Sequence, residues 1–382
     1  MDFELTAEQK LFQSTVRSLT EKEFRRYDQI LDRLEDETEE IFRRLGNLKM
    51  MGIAVPKVYG GAGLDSISDA LALMEVSGWC GHVGTVMAAH SLYCFTMMAC
   101  GSHEQKAEYL YPCAAGEAVG CYALNEAGME SDISGICTTA VRQGKEWVIN
   151  GKKEFVTNGN ISSYCVVAAV AQDSSGGEKE TRLFVLDLRA APGIRVENAD
   201  DQVDISVFGT AELVFENAKV SDDALLGKNE DGIGKMLSSL DMVRIGIASQ
   251  AVGIGQAVLE ESLRHAKTRG QSGKPMGSFQ AIQCKLADMA TELDAAKLMT
   301  LKAAWLNDNQ KPFHKEAAMA KMYASDVTMR ASIEGAQIFG GYGYRMNHAM
   351  ERHLRDAKKC QIYAGTNEIL RQLIAENLVK GT

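Results

Sequence analysis

The chain has 382 residues, 46% of them apolar and 24% charged, with a formal net charge of −10 at pH 7. That is enough apolar material for two or three packed modules, and an acidic balance without a basic block argues against a nucleic-acid-binding surface. No apolar run approaches the roughly 20 residues of a bilayer-spanning helix, and the opening MDFELTAEQK lacks the basic start and apolar stretch of a secretory signal, so the sequence reads as a soluble cytoplasmic protein.

Residues 1–118 read as an N-terminal helical domain. Thr6-Ala7-Glu8-Gln9 has the form of a capping box, and Phe12, Val16 and Leu19 follow it at helical spacing. The run from Pro56 to Gly61 (PKVYGG) interrupts the pattern, and a helical run resumes near Ser66. Ser102-His103-Glu104-Gln105 is a second capping box, opening a helix toward Leu110.

Residues 119–230 change period. GCYAL, TTAVRQ, KEWVING, YCVVAAVAQ, TRLFVLDL, GIRVEN and AELVFENAKV are short runs rich in Val, Ile, Phe and Tyr, separated by Gly, Asn, Asp and Ser. They predict a central antiparallel β-domain ending near Gly227, with an exposed turn at Asp173–Gly177.

Residues 231–382 return to helices. Leu240, Val243, Ile247, Ile254 and Val258 keep one face, and Gly253-Ile254-Gly255 inside that stripe reads as helix packing rather than a phosphate loop. GQSGKPMG at 270–277 breaks the pattern before a helix over Phe279–Asn307, and two further helices are expected after it. Near the end, Arg355–Glu368 (RDAKKCQIYAGTNE) reads as a helix end, a short crossing and a new helix start, with Gly365 permitting the turn and Thr366 as the cap. The order helices, strands, helices is an α+β arrangement and argues against a Rossmann fold. The nine cysteines, an odd number without a CxxC pair, read as small buried apolar residues, with no disulfide or metal site expected.

QIFGGYGY at 337–344, RDAK at 355–358 and IYAGTNE at 362–368, in this order and spacing, resemble the flavin-dependent acyl-CoA dehydrogenase family, and the likeness extends along the whole chain. The resemblance implies two helical domains around a β-domain, a C-terminal four-helix bundle, bound FAD, an acyl-CoA substrate, a homotetramer, and electron-transferring flavoprotein as electron partner. Tyr122–Ser131 (YALNEAGMES) resembles the family's flavin segment TEPGAGSD, with Asn125, Ala127 and Glu130 as departures. It implies flavin contacts from Tyr122, Leu124, Asn125 and Ser131, with Ser131 also beside the CoA arm. Phe155-Val156-Thr157 resembles the segment whose aromatic packs beside the isoalloxazine and whose Thr reaches its N5 region; by itself it is a strand entering a turn. In RGQSGKPMGSFQ (269–280), Arg269 would meet the flavin pyrophosphate of a neighbouring subunit, where a guanidinium fork suits phosphate oxygens, and Gln280 is a further cofactor-binding position, although Ser272 replaces an aromatic there. Gln337, Phe339, Gly340 and Gly341 would hold the ADP portion, and Thr366 and Glu368 would lie near the flavin. Leu240, Asp241, Arg244 and Gly365 correspond to substrate-placing positions. Val203-Asp204-Ile205-Ser206 stands where the family often carries L-G-x-R.

The largest departure is Ala364. Short- and medium-chain members have there the glutamate that removes the substrate's α-proton, and a methyl group cannot accept one. Other relatives carry the glutamate at the position of Val243, which is also apolar here. Three accounts stay open. Another group acts, with His90 in AHSLYC as the candidate substitute and Asp241 a weaker one. Or the protein is a reductase or specialised dehydrogenase of a short-chain or alicyclic acyl-CoA that exchanges the proton through solvent or substrate. Or Ala364 is a Glu-to-Ala replacement that inactivates a short-chain dehydrogenase. A flavin and acyl-CoA binder without turnover is the alternative of a different class.

Overall fold

The computed structural model describes residues 4–24, 38–129, 135–173, 179–198, 210–227, 232–346 and 348–380. Ser131, the turn residues Ser174 to Gly177 and the stretch Val203 to Ser206 lie outside the described residues.

Helices come first: α1 (Ala7–Phe24), α2 (Thr38–Asn47), α3 (Ser66–Trp79), α4 (Gly81–Cys100) and α5 (His103–Gln105), which continues through a π-helical turn into α6 (Tyr111–Ala115). Seven strands follow: β1 (Gly120–Ala123), β2 (Thr139–Gln143), β3 (Glu146–Thr157), β4 (Tyr164–Asp173), β5 (Glu180–Asp187), β6 (Ile194–Asn198) and β7 (Thr210–Ser221). Then come α7 (Gly232–Thr268), a small hairpin of β8 (Gly270–Gln271) and β9 (Lys274–Pro275), α8 (Gln280–Asp308), α9 (His314–Phe339), α10 (Ala349–Cys360) and α11 (Asn367–Lys380). Three helices rather than two follow α8, because the break at Gly340–Tyr342 and the His348 cap separate α10 from α9. Among the described residues the C-terminal region holds five helices, α7 to α11.

The local start signals act as the sequence suggests. The Thr6 and Gln9 side chains each accept the other's backbone N–H at 3.1 Å. Ser102 and Gln105 do the same at 3.2 and 2.8 Å. Each exchange satisfies two N–H groups that a helix start leaves orphaned.

By contact the chain divides into two units. The first holds residues 1–32, 65–85 and 244–382. Within it α9 packs against α8, α10 and α11, and α3 packs against α1 and α8. Val258, Leu293, Val327 and Met350 belong to its buried core. A Cβ on Gly253 would lie 2.1 Å from the Met74 carbonyl oxygen, and one on Gly255 2.3 Å from Leu293 Cδ2, so both glycines serve close helix approach.

The second unit holds residues 33–64 and 86–243 and contains the seven-stranded sheet. β2–β3, β3–β7, β4–β5 and β6–β7 pair antiparallel. The expected antiparallel pairing has an exception at β4, where β1 and then β2 run parallel along one edge while β5 takes the other. Apolar patterning reports which face of a strand is buried and says nothing of its direction. β4 is buried on both faces: Cys165, Val167 and Ala169 point into one core with Trp147 and Phe215, and Val166 and Ala168 into another with Tyr93 and Leu110. Its unbroken CVVAAVA run follows from that burial.

Seven of the nine cysteines are buried. Contrary to the sequence expectation, α4 and the Leu237–Thr268 part of α7 are long and apolar enough to cross a membrane, and most of each is buried inside the chain.

Candidate active site

In the sheet unit, β1 leads into Leu124–Met129 and β3 ends at Phe155–Thr157. The register of β3 on β7 slips between Lys153 and Val156. Within that bulge Phe155 has φ +55°, a left-handed conformation costly for a side chain of this size. The result is that Phe155 is 62% exposed while Val156 is buried beside it at 1%. Bulges re-aim side chains in this way beside functional sites. Val156 packs into the sheet core, so only its backbone can face a ligand. Thr157 is half-buried. Asn158, also left-handed at φ +69°, donates from Nδ2 to the Val86 carbonyl at 3.0 Å and holds the turn.

Across from β3 in the same sheet unit, the carbonyl of Asn125 accepts from Glu154 N–H at 2.9 Å, and the carbonyl of Leu124 accepts from Lys153 Nζ at 3.0 Å. Asn125 is exposed and Leu124 half-buried. The Tyr122 hydroxyl is enclosed without a hydrogen-bond partner among the described residues, and burial pushes its pKa up.

His90 is corrected as a substitute base. It is 1% exposed; Nδ1 accepts from Gly120 N–H at 3.1 Å, and Nε2 lies 3.4 Å from Cys94 Sγ. Burial pulls its pKa down to about 4. An imidazole with both nitrogens engaged in a core is a packing residue. Leu240 and Asp241, on the part of α7 that belongs to this unit, are buried at 8% and 5%.

In the helical unit, the crossing from α10 to α11 carries Ala364 at φ +53° and Gly365 at φ +96°, two successive left-handed residues. Such a turn needs outside support, and it has two anchors. The Tyr363 hydroxyl donates to Gln250 Oε1 on α7. Lys321 on α9, wholly buried, donates from Nζ to the Gly365 carbonyl at 2.8 Å and to Asn367 Oδ1 at 3.0 Å. Burial lowers the Lys321 pKa to about 8. Thr366 Oγ1 accepts from Ile369 N–H at 3.4 Å, a long bond for a cap. Arg244, 6% exposed, lies beside the turn: a Cβ built on Gly365 would be 4.0 Å from its Nη2. The structure therefore brings Arg244, Ala364, Gly365 and Thr366 together. Glu368 points outward, 3.9 Å from Arg371.

A third group is at the surface of the same unit. Arg269, Gln280, Gln337, Gly340 and Gly341 are exposed and Phe339 is half-buried. Phe339 stacks on His265 at 4.1 Å, one helical turn before Arg269, and meets His348 edge-on at 5.1 Å. Gly340 at φ +61°, ψ −142° occupies a region essentially closed to other residues.

Sequence reasoning passed over Gln250, Lys321, Lys153 and His265. Gln250 could have been found as a polar residue inside the apolar stripe of α7; Lys321 and Lys153 carry no local signal, because their acceptors are distant in the chain.

The comparisons with known proteins give the family and the fold. Three family models match in order: the acyl-CoA dehydrogenase N-terminal domain over residues 6–117, the middle domain over 121–218 and the C-terminal domain over 230–379. The chain is 42% identical over 381 residues to "Probable acyl-CoA dehydrogenase YngJ" of Bacillus subtilis, covering 100% of both. It is 41% identical over 339 residues to the human mitochondrial short-chain specific acyl-CoA dehydrogenase, covering 88% of this chain and 82% of the human one. Among solved structures, butyryl-CoA dehydrogenase from Megasphaera elsdenii matches with a TM-score of 0.92 at 35% identity, covering 99% of this chain and 100% of that one. A chain in a structure described as the electron transferring flavoprotein of Acidaminococcus fermentans matches at 0.93 with 36% identity and full coverage of both. A glutaryl-CoA dehydrogenase from Mycobacterium smegmatis in complex with FADH2 matches at 0.91 with 26% identity, covering 99% of this chain and 96% of that one. The chain belongs to the acyl-CoA dehydrogenase family.

Proposed function

We propose that the chain is an FAD-dependent oxidoreductase acting on the CH–CH bond beside the thioester of a short-chain or alicyclic acyl-CoA, as a dehydrogenase or in reverse as an enoyl-CoA reductase, without a side-chain base at either usual position. The observation that carries this reading is the turn at Ala364–Gly365. It is built and anchored on two sides, with Arg244 against it, while a methyl group occupies the place of the base.

The residues present fit a flavin. The exposed Phe155 ring offers a flat apolar platform, and the enclosed Tyr122 hydroxyl has no protein partner among the described residues. Tyr122, Leu124, Asn125, Phe155, Thr157 and the backbone of Val156 would hold the ring, with Thr366 and Glu368 near it. The exposed set Arg269, Gln280, Gln337, Phe339, Gly340 and Gly341 would hold the dinucleotide end of a neighbouring copy's FAD, and the Mycobacterium structure with FADH2 supports that cofactor. When bound, FAD supplies the acceptor for the substrate's β-hydride. Leu240, Asp241, Arg244 and Gly365 would place the thioester.

Proton removal is the step this chain leaves open. Neither Ala364 nor Val243 can accept a proton, and His90 is enclosed with a lowered pKa. The arrangement suits a substrate whose own conjugation acidifies the departing proton, or the reductive direction, in which water delivers one. The Ala364 methyl favours a second reading, a flavin and acyl-CoA binder or a Glu-to-Ala inactivated short-chain dehydrogenase. We further propose a homotetramer, electron-transferring flavoprotein as partner, a cytoplasmic location, and a division at 1–118, 119–230 and 231–382. The match to a chain solved with a flavoprotein of that kind supports the partner. Anaerobic titration of the FAD-loaded protein with butyryl-, isovaleryl-, cyclohexanoyl- and cyclohexenoyl-CoA tests the reading. Bleaching of the flavin band by a cyclic thioester supports the enzyme, and no bleaching by any of them supports the binder.

A further inference from the structure

Lys153, on β3, is 0% exposed, and its Nζ donates to Glu126 Oε1 at 2.6 Å as well as to the Leu124 carbonyl. The Glu126 carboxylate, 7% exposed, also accepts from Cys137 N–H at 2.7 Å and Thr138 N–H at 3.0 Å. Next to it, Glu154 N–H holds the Asn125 carbonyl. Every residue from Leu124 to Glu126 is therefore tied to Lys153–Glu154, the two residues that lead into Phe155.

Burial pulls the Lys153 pKa below its ordinary range, with Glu126 offsetting only part. Burial pushes Glu126 up, and its bonds from Lys153, Thr138 and Cys137 outweigh that and leave it lowered. An enclosed ion pair is a weak source of net stability, since desolvating two charges offsets most of their attraction. What this pair does specifically is geometric and electrostatic. It joins two segments from different strands, and it places two opposite charges under both.

We propose that Lys153 and Glu126 are positioning residues for the cofactor: the pair locks Leu124–Asn125 to Phe155–Thr157 as one flavin-facing surface and keeps that surface electrically neutral. The proposal rests on the reading that these segments hold FAD.

The test measures the dissociation constant and midpoint potential of bound FAD in the parent, Lys153→Met, Glu126→Gln, the double variant and Lys153→Arg. Lys153→Met leaves a lone carboxylate, which opposes added electrons, and the potential falls. Glu126→Gln leaves a lone ammonium, and the potential rises. The double variant returns close to the parent potential, while its FAD dissociation constant stays raised by about tenfold or more because the tie is gone. Lys153→Arg keeps the charge and the parent potential. A merely structural role would move both single variants the same way, or neither, and either result overturns the electrostatic part. A double variant that binds FAD as tightly as the parent overturns the positioning part. If Lys153→Met fails to fold, Glu126→Gln against the double variant, which buries no lone charge, still decides the sign. A parent protein that binds no FAD sinks the functional reading, and this proposal with it.

Discussion

The Tyr363 hydroxyl donates to Oε1 of Gln250, so the side chain just before Ala364 is fastened to the middle of α7. Gln250 is fully buried, and its Nε2 is taken by the Gly81 carbonyl at 2.7 Å and Thr85 Oγ1 at 2.8 Å. Tyr363→Phe leaves the Gln250 oxygen without this donor. The expected cost is about 1–3 kcal/mol of unfolding free energy, read by urea denaturation.

Lys321 gives stability a pH dependence. Its pKa falls from an ordinary 10.5 to about 8 in the fold. Between those values the unfolded chain holds a proton that the native state has lost, so stability rises with pH across that window. Denaturation midpoints at pH 8 and 10 should show this upward contribution, and Lys321→Met should remove it.

His90 acts at the acid end. Its pKa drops from 6.5 to about 4. Between them the unfolded chain binds a proton that the native state does not, so stability is lost as pH falls through that range. His90→Gln should flatten that slope and cost about 1–3 kcal/mol through the Gly120 N–H it leaves exposed to a poorer partner. Flavin reduction by any thioester the parent accepts should persist in this variant; its loss would restore His90 as a base.

Ala364 already bears the steric cost of a left-handed residue. Ala364→Gly relieves roughly 1–2 kcal/mol of that strain against about 0.5–1 kcal/mol of added chain entropy. A small gain in thermal stability is the expected outcome, checked by melting the two proteins side by side.

What the sequence revealed was mostly local. The capping boxes at Thr6 and Ser102 need only four residues, and both form. The α7 stripe and the two packing glycines were visible as periodicity. The parallel edge of β4 was not, since strand direction is decided by which distant segment pairs with it. His90 looked like a base because imidazole can titrate near neutrality; a backbone N–H thirty residues away, and the core around it, made it a packing residue. Phe155 was found by resemblance, but the bulge and left-handed backbone that expose its ring appear only with the register on β7.

The proposed site would take cofactor and acyl-CoA with no carboxylate at either position where the family carries its base, Val243 and Ala364. The direct test is anaerobic titration of FAD-loaded parent and Ala364→Glu protein with butyryl-CoA, following the visible band of oxidised flavin. Butyryl-CoA, whose α-proton no conjugation acidifies, is expected to perturb the parent's band without bleaching it, and to bleach that of Ala364→Glu. A parent that bleaches with butyryl-CoA as fast as the variant would contradict it, because a base would then exist elsewhere in the chain.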